Sequence, residues 1–148
     1  MLIKDVLQHK GRNVATVGID DSTLDALKKL NEKHIGSLIV TAPDRNVAGI
    51  ISERDILAHL LEIAEGIPVS RIMTPVEKLI IVHEGDTVDY AMSIMTEHRI
   101  RHLPVFEDDK LVGLVSIGDV MKAVSSELEF EAKVLEEYIA GSQAIISR

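Results

Sequence analysis

The sequence contains no cysteine and no tryptophan, and its other aromatic residues are few. Without cysteine, a disulfide framework, a thiolate metal site and a cysteine nucleophile are all excluded. The four aromatic residues are Tyr90, Phe106, Phe130 and Tyr138. We therefore expect an aliphatic core, and we expect no aromatic platform on which the bases of single-stranded nucleic acid could stack.

Positive charge and long apolar runs are also scarce. The 148 residues include 16 lysines and arginines against 24 aspartates and glutamates, which gives a net charge of −8. Because non-specific nucleic-acid binding needs a basic face, this balance argues against it. No apolar run approaches the roughly 18 residues of a membrane span, and the N-terminal MLIKDVLQHKGR has no apolar signal-peptide core. We therefore expect a cytoplasmic protein that does not associate with membranes.

What the sequence does contain is an internal duplication. Seven residues between positions 17 and 40 recur in the same order 65 positions later. In the first copy they are Val17, Asp21, Ala26, Glu32, Ile35, Leu38 and Val40. Their counterparts are Val82, Asp86, Ala91, Glu97, Ile100, Leu103 and Val105. Because the apolar positions between them are also preserved, these identities indicate a duplication.

Each copy is predicted to fold as β-α-β-β-α, from β-branched runs, helical apolar spacing and turn-forming residues. In the first copy we predict strands at 14–17, 37–42 and 47–52, a helix capped by Ser22 or Thr23, and a helix at 55–64. The helix at 55–64 is expected to bury Ile56, Leu57, Leu60, Leu61 and Ala64. In the second copy we predict strands at 79–82, 102–107 and 111–116, a helix at 87–98, and a helix from Ile117.

The duplication sets the expected domain boundaries. They are an N-terminal segment at 1–13, a first repeat at 14–65, a linker at 66–78, a second repeat at 79–125, and a C-terminal helix and tail at 126–148. One copy alone has a marginal core, so two copies are expected to pack sheet to sheet and to leave clefts between them. The final helix carries an apolar stripe, and two alternatives stay open for it: packing on its own domain or contact with a second copy. The stripe consists of Leu128, Leu135, Tyr138 and Ile139.

The strand-to-helix junctions GIISERDI and GLVSIGDV carry the same polar residues in both copies. Ser52 and Asp55, like Ser116 and Asp119, have the spacing of a helix-capping box, in which each side chain bonds to the other's backbone N–H. The same residues suit a nucleotide, because a helix N-terminus attracts phosphate and a carboxylate can accept ribose hydroxyls. The glycines that precede them, at positions 49 and 113, allow close approach to the strand.

These junctions resemble those of the CBS (cystathionine β-synthase) domain. The match lies in IGSLIV…GIISERDI, in IRHLPV…GLVSIGDV and in the linker sequence SRIMT, and it extends over about residues 1 to 125. The tandem resembles a Bateman module of the small stand-alone bacterial type. The resemblance implies an α+β (α/β) fold of two β-α-β-β-α repeats, packed sheet to sheet with pseudo-two-fold symmetry and followed by a C-terminal helix.

The resemblance also implies a function and a set of site residues. The implied function is regulatory binding of AMP, ATP or NAD(H) between the repeats, in an expected homodimer that modulates a partner protein. Asp55 and Asp119 would hold ribose hydroxyls, and Ser52 and Ser116 would contact ribose or phosphate. The backbone of Thr16, Val17, Ile80 and Ile81 would bind the adenine edge. The walls of the clefts would be Ile35, Gly36, Ser37, Ile100, Arg101 and His102.

The densest basic stretch runs from His98 to His102. Cations at the end of a helix complement its dipole, but Arg99 and Arg101 are also suited to charge-assisted contacts with a phosphate. The first copy has a different set of residues there, and Arg54 stands where the second copy has Gly118. We therefore expect the two clefts to differ in ligand or affinity.

Enzymatic sites find little support in the sequence. His98 and His102 do not complete a metal site, because the second histidine begins a strand and no carboxylate pattern accompanies the pair. GLVSIG is not a G-x-S-x-G nucleophile motif. We therefore expect neither an enzyme nor a bound metal. The alternative to nucleotide binding is a protein-interaction or dimerisation module with vestigial clefts.

Overall fold

The computed structural model describes residues 1–146, and it shows a mixed fold of helices and strands. The helices are α1 (Ile3–Lys10), α2 (Thr23–Lys33), α3 (Glu53–Ala58), α4 (Leu60–Ile63), α5 (Val88–His98) and α6 (Ile117–Ile146). The strands are β1 (Thr16–Gly18), β2 (Ser37–Thr41), β3 (Val47–Ser52), β4 (Thr74–Pro75), β5 (His102–Glu107) and β6 (Lys110–Ser116). Apart from two strands and one helix discussed below, these bounds confirm the predicted β-α-β-β-α repeats.

The first repeat is built on a four-stranded sheet of order β1-β2-β3-β4. Strand β1 runs parallel to β2, and the other two pairs are antiparallel. The predicted strand at 14–17 begins two residues later, at Thr16, and ends at Gly18. Strand β4 was not predicted; it lies within the expected linker and pairs Pro75 with Gly49.

The second repeat contains the antiparallel pair β5-β6. The strand predicted at 79–82 is wrong in extent, because only Val82 forms a bridge, parallel to Val105. Its N–H donates to the Pro104 carbonyl at 3.0 Å, and its carbonyl accepts from the Phe106 N–H at 2.9 Å. A 3-10 turn at Val76–Lys78 precedes the segment 79–82. Of that segment, only the last residue, Val82, pairs with β5.

The helix predicted at 55–64 is broken at His59. His59 has φ −119° and ψ 27°, and its Nδ1 lies 3.0 Å from the Asp55 carbonyl. Ile56 and Ile63 are buried, while Leu57, Leu60 and Leu61 are 70%, 58% and 90% exposed. Ala64 is exposed as well. The expectation that the three leucines and Ala64 face the core is therefore wrong.

The segment that precedes each repeat packs on the other repeat. Ile3 and Leu7 of α1 are fully buried in the core of the second repeat, whereas Val69 and Ile72 lie in the core of the first. The backbone contacts match as well: the Ile3 N–H donates to the Asp86 carbonyl at 2.9 Å, and the Val69 N–H donates to the Asp21 carbonyl at 2.8 Å. We refer to residues 2–10 and 68–75 as the crossed segments.

Helix α6 continues without a break from the second junction through the predicted C-terminal helix. Val120 and Ala123 near its start are buried. Farther along, the predicted apolar stripe of Leu128, Leu135 and Tyr138 is exposed, so it does not pack on its own domain. Within residues 1–146, no helix has the length and apolar character needed to span a membrane.

Candidate functional site

Two cavities lie where the repeats meet, and each contains one of the duplicated junctions. Cavity A has a volume of about 190 Å³ and is lined by Gly36, Ile50, Ser52, Glu53, Arg54, Asp55, Thr74, Ile100, Arg101 and His102. Cavity B has a volume of about 550 Å³ and is lined by Lys10, Asn13, Val14, Ala15, Lys33, His34, Ile35, Gly36, Ser37, His102, Leu114, Ser116 and Asp119. Each cavity is therefore bordered by residues of both repeats.

The two junctions form the capping boxes that their spacing predicts. At cavity A, the Ser52 N–H donates to Asp55 Oδ2 at 2.8 Å, and the Asp55 N–H donates to Ser52 Oγ at 3.4 Å. At cavity B, the same bonds between Ser116 and Asp119 measure 2.8 and 3.1 Å. In each case, the other carboxylate oxygen, Oδ1, accepts no hydrogen bond from the described residues. Capping therefore leaves one acceptor oxygen per cavity.

Lys10 is a feature of cavity B that was not predicted. Its Nζ donates to Asp119 Oδ2 and to the Leu114 carbonyl, each at 2.6 Å. Burial by itself would raise the pKa of Asp119, but the hydrogen bonds from Lys10 and from the Ser116 backbone outweigh it and hold that pKa below 3.8. Asp119 is thus ionised at neutral pH and carries an internal cation on one of its oxygens.

Two of the three arginines predicted as site residues line cavity A. Arg101 lines the cavity, and the Arg54 guanidinium crosses between the repeats and donates to the Arg99 carbonyl. Arg99 itself ends α5 in a left-handed conformation with φ 55°. Its side chain lines neither of the two cavities in the described structure. Of the three predicted arginines, Arg54 and Arg101 therefore line cavity A, and Arg99 does not.

The backbone residues predicted to bind adenine lie outside both cavities. Thr16 and Val17 pair with Ile39 and Val40 in the sheet, and Val17 is buried in the first core. Strand β1 has one neighbour in the sheet, so only one of its edges is paired, and the Thr16 carbonyl accepts a hydrogen bond from Lys29 Nζ at 2.8 Å. Residues 13–15, which directly precede β1, line cavity B instead.

Ile80 and Ile81 precede the bridge at Val82 and line neither cavity in the described part of the chain. Thr74, from a crossed segment, lines cavity A. The roles of Ile80 and Ile81 in adenine binding, like those of Thr16 and Val17, stay predictions.

Several lining residues lay outside the sequence prediction: Lys10, Asn13, Lys33, Glu53 and Thr74. Lys10 and Thr74 reach the cavities because the crossed segments pack on the opposite repeats. Among residues 1–146, no cluster of three histidine, aspartate or glutamate side chains is suited to a metal ion.

A family model of the CBS domain matches residues 3–62 and 69–126. The chain belongs to the CBS domain family. Both matched ranges include a crossed segment, so the chain contains two CBS domains in tandem, each with its first residues packed on the other. The predicted resemblance and fold class are thereby confirmed.

The tandem of CBS domains has close counterparts among known proteins. The mitochondrial CBS domain-containing protein CBSX3 of Arabidopsis thaliana is 38% identical, over 94% of this chain and 72% of the relative. The crystal structure of the CBS-domain containing protein ATU1752 from Agrobacterium tumefaciens is 42% identical, with a TM-score of 0.77, over 82% of this chain and 92% of that chain.

Two similar CBS structures contain ligands. CBSX2 was solved in complex with AMP; it is 29% identical, with a TM-score of 0.66, and the likeness covers 76% of this chain and 88% of that chain. The CBS domain pair of MJ0100 was solved with 5′-methylthioadenosine and S-adenosyl-L-methionine. It is 26% identical, with a TM-score of 0.71, over 86% of this chain and 98% of that chain. The ligands in these neighbours all contain adenosine.

Proposed function

We propose that this CBS pair is a regulatory module that binds an adenine nucleotide, AMP, ATP or NAD(H), between its repeats and modulates a partner protein. One observation carries the proposal: each interdomain cavity is lined by an aspartate that begins a helix and retains an acceptor oxygen. Ribose offers two hydroxyl donors to such a carboxylate. The AMP complex of CBSX2 supports this class of ligand.

Cavity B is the one that we expect to bind first. Its volume of about 550 Å³ lies within the roughly 300–1,000 Å³ of small-molecule sites, whereas cavity A has about 190 Å³. Lys10 and Lys33 give cavity B two lysine side chains, which suit a phosphate. In cavity A, Arg54 is held by the Arg99 carbonyl, so a ligand there has to displace it.

The test is a thermal-shift and calorimetric panel on the purified chain with AMP, ATP, NADH and adenosine. Ligand binding to the folded state raises the melting temperature by linkage. Asp119→Ala is expected to weaken AMP binding by roughly 1.5–3 kcal/mol, the cost of losing hydrogen bonds to a charged group. Asp55→Ala removes the same capping box from the other cavity, so it is the matched control and is expected to leave the tighter site intact.

Absence of any shift at millimolar ligand would contradict nucleotide binding. Equal weakening by Asp55→Ala and Asp119→Ala would contradict the preference for cavity B.

A second candidate function is that of a dimerisation or interaction module, and one observation favours it. Leu27, Leu57 and Leu60 line one groove on the outer face of the first repeat, and Leu61 beside them is 90% exposed. An uncovered apolar patch of this kind is typical of an interface. We propose that it joins two copies in a homodimer, which is compatible with nucleotide binding.

Sedimentation equilibrium of Leu60→Asp distinguishes the two exposed apolar surfaces. If the groove is the interface, Leu60→Asp gives a monomer, and Leu128→Asp, on the α6 stripe, stays a dimer. The reverse result would move the interface to α6, and a monomeric wild-type protein would contradict the homodimer.

We propose that the role of the protein is regulatory rather than catalytic, and its membership of the CBS domain family supports this proposal. The cytoplasmic location also stays a prediction, since the relative in Arabidopsis thaliana is named as mitochondrial.

A further inference from the structure

His102 forms the wall between cavity A and cavity B. Among the described residues, two line both cavities: Gly36 of the first repeat and His102 of the second. A Cβ atom added to Gly36 would lie 3.0 Å from His102 Nε2 and 3.1 Å from its Cε1, so the ring packs directly against the Gly36 backbone. One imidazole therefore separates the cavities and borders each of them.

The duplication does not supply a second residue of this kind. In the first repeat the position of His102 is occupied by Ser37, and in the second repeat the position of Gly36 is occupied by Arg101. Ser37 is buried. It lines cavity B but not cavity A. The central wall is thus an asymmetric feature of a nearly symmetric module.

Charged groups from four segments act on the ring: Asp119 of α6, Lys10 of α1, Glu53 of α3, and the adjacent Arg101. Burial has the largest effect and lowers the pKa of His102 below 6.5; the two carboxylates raise it, and the two cations lower it. The imidazole is therefore neutral at pH 7. A phosphate bound beside it would favour the protonated ring.

We propose that His102 is a single anion contact shared by both cavities, which selects phosphorylated over uncharged adenine ligands and couples the two sites through one proton. This inference rests on the proposed nucleotide-binding function. A phosphate bound in one cavity raises the pKa of the ring, which takes up a proton from solvent, and that proton is then already in place for a phosphate in the other cavity. The first ligand therefore raises the affinity for the second, and His102 takes up no more than one proton per chain.

Isothermal titration calorimetry at pH 7, in two buffers of different ionisation enthalpy, measures this proton. The probes are AMP and adenosine, and the proteins are wild type, His102→Asn and the exposed control His98→Asn. On binding AMP, wild type and His98→Asn are expected to take up more protons than His102→Asn. The expected difference is a fraction of one proton per chain. Free AMP, whose phosphate titrates near a pH of about 6, is the same in every titration, so a difference in proton uptake between wild type and His102→Asn depends on His102.

The affinities give a second readout. His102→Asn is expected to lower AMP affinity by about three- to tenfold, the range of one lost charge-assisted contact, and to leave adenosine affinity unchanged. Equal proton uptake by wild type and His102→Asn would overturn the inference, as would an equal loss of both ligands. If neither AMP nor adenosine bound to wild type, the proposed function would fail, and the inference with it.

An NMR titration of the wild-type histidine rings makes the test independent of whether the variants fold. AMP is expected to raise the pKa of His102, and adenosine is expected to leave it unchanged. A His102 pKa that does not respond to bound AMP would contradict the shared contact while leaving nucleotide binding intact.

Discussion

The Ser52–Asp55 junction of the first repeat and the Ser116–Asp119 junction of the second share two hydrogen bonds. The serine N–H donates to aspartate Oδ2 at 2.8 Å in both, and the aspartate N–H donates to serine Oγ at 3.4 and 3.1 Å. The further partners of the two carboxylates differ. Asp119 also accepts from Lys10, whereas Asp55 accepts from the hydroxyl of its own Ser52 at 3.1 Å. Bonds within four residues survive duplication, because the sequence motif carries both partners. Contacts from distant segments have diverged, and they make cavity A unlike cavity B.

The glycines that precede the junctions show the same contrast. A Cβ atom on Gly49 would lie 2.2 Å from the Thr74 carbonyl oxygen, whereas one on Gly113 would lie 2.6 Å from a methyl carbon of Leu7. A crossed segment therefore lies close to each strand. At β3 of the first repeat the contact is with the backbone of Thr74, and at β6 of the second repeat it is with the side chain of Leu7. This difference gives the largest effect that we predict.

Gly49→Ala is expected to destabilise the fold by about 3 kcal/mol, and Gly113→Ala by about 1–2 kcal/mol, within the range for overpacked sites. The carbonyl of Thr74 is fixed by the pairing of β4 with β3, whereas the end of the Leu7 side chain can shift. Urea unfolding measures both values. Gly118→Ala is the control, since its Cβ would meet only Ser116 Oγ at 3.6 Å. Equal costs at positions 49 and 113 would contradict the asymmetry.

Asp119→Ala is expected to lower the free energy of unfolding by about 2 kcal/mol, and Asp55→Ala by about 1 kcal/mol, because both lose a helix cap and the former also loses a partner of Lys10. Chemical denaturation without ligand measures the difference. If Asp55→Ala were the more destabilising variant, the cation on Asp119 would not contribute to folding.

The Asp119 contribution is expected to depend on pH. Its pKa in the folded protein lies below the ordinary value of 3.8, so the folded state binds fewer protons than the unfolded chain near that pH. The stabilisation is complete above the unfolded pKa and is lost as pH falls through the folded pKa. The part of the unfolding free energy that the ionised Asp119 contributes should therefore be complete near pH 7 and should shrink below about pH 4, which denaturation of wild type and Asp119→Ala at both pH values measures.

The smallest predicted effect concerns Lys10. Its side chain is 30% exposed and that of Asp119 24%, so solvent weakens the ion pair, and Lys10→Met is expected to cost less than about 1 kcal/mol. Lys28→Met, at an exposed position of α2, is the control. A loss as large as that of Asp119→Ala would show that the ion pair, and not the cap, dominates this junction.

Local patterns predicted most of the elements, because their signals lie within a few residues. The strand Val47–Ser52 has the predicted bounds, and the helix Val88–His98 differs from its prediction by one residue. Helical periodicity identified an apolar stripe around Leu57 and Leu61, but it does not reveal whether the chain itself covers that stripe. The break at His59 depends on a ring contact that no propensity encodes.

The site was predicted less completely, for a related reason. The junction motifs identified Ser52, Asp55, Ser116 and Asp119, which do line the two cavities. Lys10 was missed because its partner lies 109 positions away. A contact of that kind depends on how the two repeats pack together, and a single sequence contains no local signal for it.

Because residues 2–10 and 68–75 are exchanged between the halves, we expect neither half to fold by itself. A protease cut at the exposed Glu65–Gly66 bond would leave two fragments, each carrying the piece that completes the other, and they should reassemble when mixed. A lone ancestral repeat of this geometry would have had to borrow that piece from an identical neighbour.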